Sequence, residues 1–99
     1  MERIALDAYV LDALMPDLVG HDRRPSAFLV YLYLWRRSHA ATQPVCASYQ
    51  MLAEGTGLSK GSVQAAVRCL VKRQLVESKR RNPTAAPVFT LRCHWRARS

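Results

Sequence analysis

Ninety-nine residues with 49% hydrophobic content and a formal net charge of +8 make one small domain, large enough for a single core and too apolar to be a disordered basic tail. The longest apolar run, Ala27–Trp35 (AFLVYLYLW), reaches about half of the ~20 residues a membrane span needs, and MERIALD has an early acid and no long apolar stretch to make a secretory leader. Cys46, Cys69 and Cys93 are odd in number, widely spaced and without a CxxC pair, which argues against a disulfide framework and for a reducing, cytoplasmic compartment.

In chain order, Ile4–Met15 has helical spacing, with Ile4, Ala8, Leu11 and Met15 on one stripe and Leu6, Val10 and Leu14 on a second. Two stripes exceed what a helix needs to cover one core. Residues 1–22 therefore form either a helix packed on its own domain or a dimerisation arm, symmetric dimers being common. Pro16 disfavours helical geometry at Met15, so the helix is expected to end or kink there. Asp7, Asp12, Asp17 and Asp22 make this segment net acidic, and it should avoid phosphates.

Pro25 suits a helix first turn, and Ser26–Arg37 follows, apolar on nearly all sides until Arg36 and Arg37. Such a helix belongs at the centre of the domain, with Tyr31, Tyr33 and Trp35 as core and interface residues rather than base-stacking ones. After a loop at 39–44, Val45–Ala47 reads as a brief strand.

Ser48 caps a helix over Tyr49–Glu54. Gly55-Thr56-Gly57 cannot continue it comfortably, and Gly57 is the natural left-handed turn residue. Leu58 plugs the corner, and Ser59 caps a helix to about Arg73. That helix turns Val63, Ala66, Val67 and Leu70 to one face and Gly61, Gln64, Ala65, Arg68 and Lys72 to the other. Leu75–Lys79 and Val88–Arg92 are two strands of a hairpin with a long basic connection, and Val76 and Phe89 point inward. The tail RCHWRARS is basic and carries Trp95.

Charge divides sharply along this order. Residues 59–99 carry ten Lys and Arg against Glu77 alone, a balance of +9, whereas residues 1–58 carry five basic and six acidic residues. All the excess positive charge lies from the second of the paired helices onward, which marks a polyanion-facing surface.

Helix, strand, helix, glycine turn, helix and basic hairpin is the order of a winged helix-turn-helix. Within LAEGTGLSKGSVQAAVRCLVKRQLVE, the pattern Leu52-Ala53, Gly57-Leu58-Ser59, Val63, Leu70 and Leu75-Val76 resembles the DNA-binding module of GntR-type repressors and of winged-helix domains in plasmid and phage replication proteins. Ala53 is small where helices cross, Gly57 makes the turn and Val63 seals the crossing. Two departures stand out: Gly61 lies early in the second helix, where it lowers helix propensity by roughly 1 kcal/mol against Ala, and Gln74 stands where such wings bend at glycine.

The resemblance implies a mainly α fold with a small β-hairpin wing (α+β), residues 1–22 as an N-terminal arm and 23–99 as the DNA-binding domain. It implies insertion of helix 59–73 in the major groove, whose ~12 Å width admits an α-helix, with a basic wing at 79–84. Ser59, Lys60, Ser62, Gln64 and Arg68 are the candidate base-facing residues, since the N-terminal part of such a helix lies nearest the bases. Gln64 suits adenine and Arg68 suits guanine or a phosphate. Lys72, Lys79, Arg80 and Arg81 are the candidate phosphate contacts. The partner expected is double-stranded DNA, bound by a homodimer formed through the N-terminal helix, and the role is that of a transcriptional repressor or, alternatively, a DNA-binding component of replication or plasmid maintenance.

Other classes fit less well. A metal or redox sensor would draw on Cys93, His94, His21, His39, Cys46 and Cys69, but these lack paired ligand spacing. A protein-interaction module would use the arm and Trp35, yet helix 59–73 carries no acid. An enzyme is not expected: GxSxG, a Walker lysine loop, HExxH and paired carboxylates are all missing from the sequence, and no cofactor motif is present.

Overall fold

The computed structural model describes residues 1–96; the last three residues of the basic tail lie outside that range. The chain forms four helices and a small three-stranded antiparallel sheet. In order these are α1, made of two successive wide-wound segments Val10–Leu14 and Pro16–His21, then α2 (Pro25–Arg37), β1 (Val45–Cys46), α3 (Tyr49–Thr56), α4 (Lys60–Lys72), β2 (Val76–Lys79) and β3 (Val88–Leu91).

The first helix departs from its sequence expectation at both ends. Residues 4–7 are not helical, and the helical path then runs through Pro16 to His21. Met15 keeps right-handed helical angles (φ −61°, ψ −54°) and donates its N–H to Val10 O, five residues back. This π winding is wider than an α-turn and moves the preceding carbonyls off the proline ring, so a proline that would break a tight helix is accommodated.

The sequence expectations for α2 hold: Pro25 opens it, and Ala27, Phe28, Val30, Tyr31, Leu34 and Trp35 are buried. It is the central helix, packed against α1, α3 and α4. Val10, Leu14 and Leu18 of α1 join the same core as Leu52, Val63, Ala66, Val67, Leu70, Val76 and Phe89. The N-terminal segment is therefore packed on its own domain.

Helix α3 begins as expected, with Ser48 Oγ accepting from Met51 N–H, but it runs two residues further than Glu54. Gly55 is inside it. A Cβ there would overlap the Tyr33 ring of α2, so the residue is glycine because the two helices meet at that point. We expect Gly55→Ala to destabilise the domain by about 1–2 kcal/mol despite alanine's better helix propensity. In a Tyr33→Ala background the same change should be neutral or stabilising, a coupling readable by urea unfolding of the four-member cycle. Additive effects would mean the ring simply swings aside. Gly57 ends the helix in the left-handed region (φ 82°), its N–H bonded to Ala53 O.

Helix α4 ends in a Schellman arrangement: Leu75 N–H bonds Leu70 O, Gln74 N–H bonds Val71 O, and the buried Leu75 and Leu70 bring an apolar pair to the same turn. Gln74 occupies the left-handed position at φ 58°. The bend that glycine ordinarily makes is thus kept, with a side chain bearing its strain. Gln74→Gly should raise stability by about 0.5–1 kcal/mol, the left-handed penalty exceeding the entropic cost of glycine. A shift of the urea midpoint with an unchanged slope is the readout; a loss of stability would show that the Gln74 side chain contributes contacts.

The sheet has the order β1-β3-β2. The hairpin is completed by β1, with Val45 opposite Phe89 and Cys46 opposite Val88. On the other side, Val76 faces Leu91 and Lys79 faces Val88. Val76 and Phe89 are inward, as their alternation predicts. Strand β1 is one residue shorter than Val45–Ala47, although Ala47 N–H still bonds Pro87 O.

Candidate nucleic-acid interface

The exposed face of α4 is a ridge. Lys60, Gln64, Arg68 and Lys72 recur every fourth residue, all are exposed, and none has a side-chain hydrogen bond or ion pair among the described residues. Its opposite face, Val63, Ala66, Val67 and Leu70, is buried. The helix is thus held by its apolar face while four polar or basic side chains project from a rigid rod. Gly61 lies in open space, with nothing within 4 Å of a Cβ placed there.

Ser59 and Ser62 differ from the ridge. Ser59 Oγ accepts from Ser62 N–H at 3.1 Å and lies 3.0 Å from Ser62 Oγ. These hydroxyls close the first turn of α4, satisfying donors the helix leaves free. Both sit at the start of the ridge, but their first task is local.

The wing residues spread apart. Lys79 lies 3.7 Å from Glu77, which also meets Arg92 at 3.4 Å. Arg80 donates from Nη1 to Ala85 O at 2.8 Å and stacks its guanidinium over the Tyr49 ring at 5.6 Å. It is a fixed cation, pre-set by the wing and by the first residue of α3. Arg81 is exposed with no side-chain partner among the described residues. Lys60 and Arg80 line one open groove of about 370 Å³ together with Ser48, Tyr49, Gln50 and residues 84–87 of the wing.

Arg68 and Lys72 line a second, larger groove of about 620 Å³ with Ala65, Cys69, Arg73, Asp22 and Arg24. Here the acidic end of α1 meets α4: Arg73 donates to Asp17 at 2.7 Å and lies 3.5 Å from Asp22. The Asp22 carboxyl is held below the usual carboxylate range, chiefly by its hydrogen bond with His21 and also by the Arg73 charge. Burial, together with that carboxylate, pushes the Cys69 thiol up. Cys69 is therefore a protonated side chain at the edge of the buried face, and all three cysteines are free thiols. The described residues hold no group of three His, Cys, Asp or Glu side chains arranged for a metal ion, and no helix among them is long and apolar enough to cross a membrane.

Reasoning from sequence overlooked Arg24, Tyr49 and Gln50. A usable signal existed for Tyr49 and Gln50, which directly follow the Ser48 cap and so open a helix. Arg24 is a basic residue in front of Pro25, and nothing in the linear order announces that it approaches α4.

Two helices joined by a left-handed glycine, the second solvent-faced with a polar ridge, and a basic hairpin folded against their entrance define a winged helix-turn-helix, a class of DNA-binding fold. The chain belongs to the helix-turn-helix domain family, whose pattern matches residues 24–76, more than half its length and from the start of α2 to the first residue of β2. Neither the curated proteins nor the solved structures give a match to the chain.

Proposed function

We propose that this protein binds double-stranded DNA sequence-specifically as a transcriptional regulator of the repressor type, resembling the GntR-type modules, with α4 in the major groove and wing residues 79–84 on the flanking backbone. The observation that carries this reading is the exposed, unpartnered ridge Lys60–Gln64–Arg68–Lys72 on a helix anchored by its other face. A helix with side chains is about 10–12 Å across, matching the major groove. Gln64 and Arg68 are the base readers. Lys72, Lys79, Arg80 and Arg81 meet phosphates, and Lys60 faces the bases with the Ser59 and Ser62 hydroxyls at the helix start.

The reading includes a homodimer through the N-terminal helix. Leu11, Met15 and Val19 are large, exposed and four residues apart on α1, one residue along from the buried Val10, Leu14 and Leu18. A second apolar stripe of that kind on a short helix supports a symmetric contact with a second copy.

Selection from a random duplex pool at two salt concentrations tests both parts. The expected result is an enriched palindrome with half-sites one helical turn apart, about 34–36 Å, that survives the higher salt. A single unrepeated element would remove the dimer and favour a replication or plasmid-maintenance role. Binding that selects no sequence and vanishes with salt would remove the regulator reading altogether.

A further inference from the structure

We propose that the groove between the α1–α2 corner and α4 is a second phosphate seat, which holds a backbone phosphate of the DNA strand opposite the one that faces the wing, with Arg24 as its outer cation. This rests on the reading of α4 as a major-groove helix and extends it to a residue on a different element.

A helix that fills the major groove has a sugar–phosphate backbone on each side. The wing groove, with Lys60 and Arg80, serves the N-terminal end of α4. The corner groove lies further along, at Arg68 and Lys72. Lys60 and Lys72 are twelve residues apart, about 18 Å at 1.5 Å per residue. The two grooves thus bracket the ridge.

The charge in the corner groove favours an anion. Arg24, Arg68, Lys72 and Arg73 line it against the single carboxylate of Asp22. That carboxylate is largely covered, with 15% of its side chain exposed, and it is already engaged by His21 and Arg73. Arg24, Arg68 and Lys72 have no side-chain partner among the described residues. With Arg68 reserved for a base, Arg24 and Lys72 remain as free cations facing that volume, and a phosphate is the group whose charge and oxygens suit them.

The corner is also rigid. Arg23 adopts φ 52°, Arg24 N–H bonds Leu18 O at 2.8 Å, and Pro25 follows. Asp17 and Asp22 tie it to α4 through Arg73. The acids of the N-terminal segment, expected from sequence to keep it away from phosphates, act instead as a staple that brings Arg24 to the recognition helix. With the backbone of Arg24 held in this way, only its side chain remains to be ordered on binding. Both acids precede residues 24–76, the part of the chain that the family pattern matches.

The test is duplex binding by the full chain and its Arg24→Ala variant over a salt series, with Arg3→Ala as control, Arg3 lying in the N-terminal segment beside Arg36 at the far end of α2. Loss of one phosphate contact should lower the slope of log affinity against log salt by about 0.9 and weaken binding about 8-fold at 0.1 M salt, equally for preferred and random sequences. Arg24→Lys should restore most of the loss, and Arg3→Ala should leave binding unchanged. A methylphosphonate scan should find one phosphate, on the strand opposite the wing's, whose neutralisation weakens the wild-type chain and not Arg24→Ala. If wild-type binding depends on Arg68 but not on Arg24, this inference falls and the parent reading stands. If inorganic phosphate alone perturbs the groove amides in an Arg24-dependent way while DNA affinity ignores Arg24, a soluble anion occupies the seat and the DNA assignment is overturned. If the wild-type chain binds no duplex, both fall together.

Discussion

Trp35→Ala should lower the unfolding free energy by about 3–5 kcal/mol, the cost of deleting a large buried aromatic. The indole is fully buried in α2 and does more than fill space. Its Nε1–H donates to Ala5 O at 2.7 Å, and the Arg96 guanidinium lies 5.2 Å from its ring centroid. Arg96 in turn donates to Asp7 at 2.7 Å, while Trp95 stacks on Tyr9 at 4.5 Å and donates to the same Asp7 carboxylate. Residues 5–9 and residues 95 and 96 are thus fastened together over one side chain. The hydrogen bond from Arg96, then that from Trp95, keeps the Asp7 carboxyl below its ordinary range.

With total stability on the order of 5–15 kcal/mol for a domain of this kind, Trp35→Ala should sit close to unfolding. Trp35→Phe keeps most of the packing and loses the donor to Ala5, so about 1–2 kcal/mol is expected. Urea denaturation followed by circular dichroism measures both. A loss below about 1 kcal/mol for Trp35→Ala would show that the ring is not a core residue.

The largest functional effect is expected at Arg68. Arg68→Ala should lose roughly 1–3 kcal/mol on the preferred sequence, a factor of about 5–150, and should relax specificity at one base position. Its guanidinium projects from the middle of the ridge with nothing to hold it back, so its fork is available for a bidentate contact. Arg80→Ala should behave differently: similar weakening on every sequence and a shallower salt dependence. Because Arg80 is already fixed by Ala85 O and Tyr49, its removal also frees the wing. Competition binding with preferred and scrambled duplexes separates the two variants. Identical profiles would erase the distinction between base reader and phosphate holder.

Much of the scaffold was legible in the residues. Ser48 and Ser59 announced their caps, Gly57 its left-handed turn, and the spacing of Val63, Ala66, Val67 and Leu70 the buried face of α4. These are local signals: each depends on backbone geometry within a turn or two. The path of α1 through Pro16 was not legible, because tolerance of a proline depends on a π winding stabilised by packing of Val10, Leu14 and Leu18. The place of Gly55 inside α3 was equally hidden, since it is set by Tyr33, twenty-two positions earlier in the chain.

The candidate interface divides in the same way. By itself the sequence determined a basic C-terminal half, a helix pair with a glycine corner, and an exposed helix face with Gln64, Arg68 and Lys72, since charge and helical period follow directly from residue order. Only the tertiary structure decided what flanks that ridge. It brought Tyr49 under Arg80, joined β1 to the hairpin through β3, and set Asp17 and Asp22 on Arg73 so that Arg24 faces α4. Those meetings join residues tens of positions apart, and the free energy that selects them comes from burying the shared core around α2, a property of the whole packed chain rather than of any segment within it.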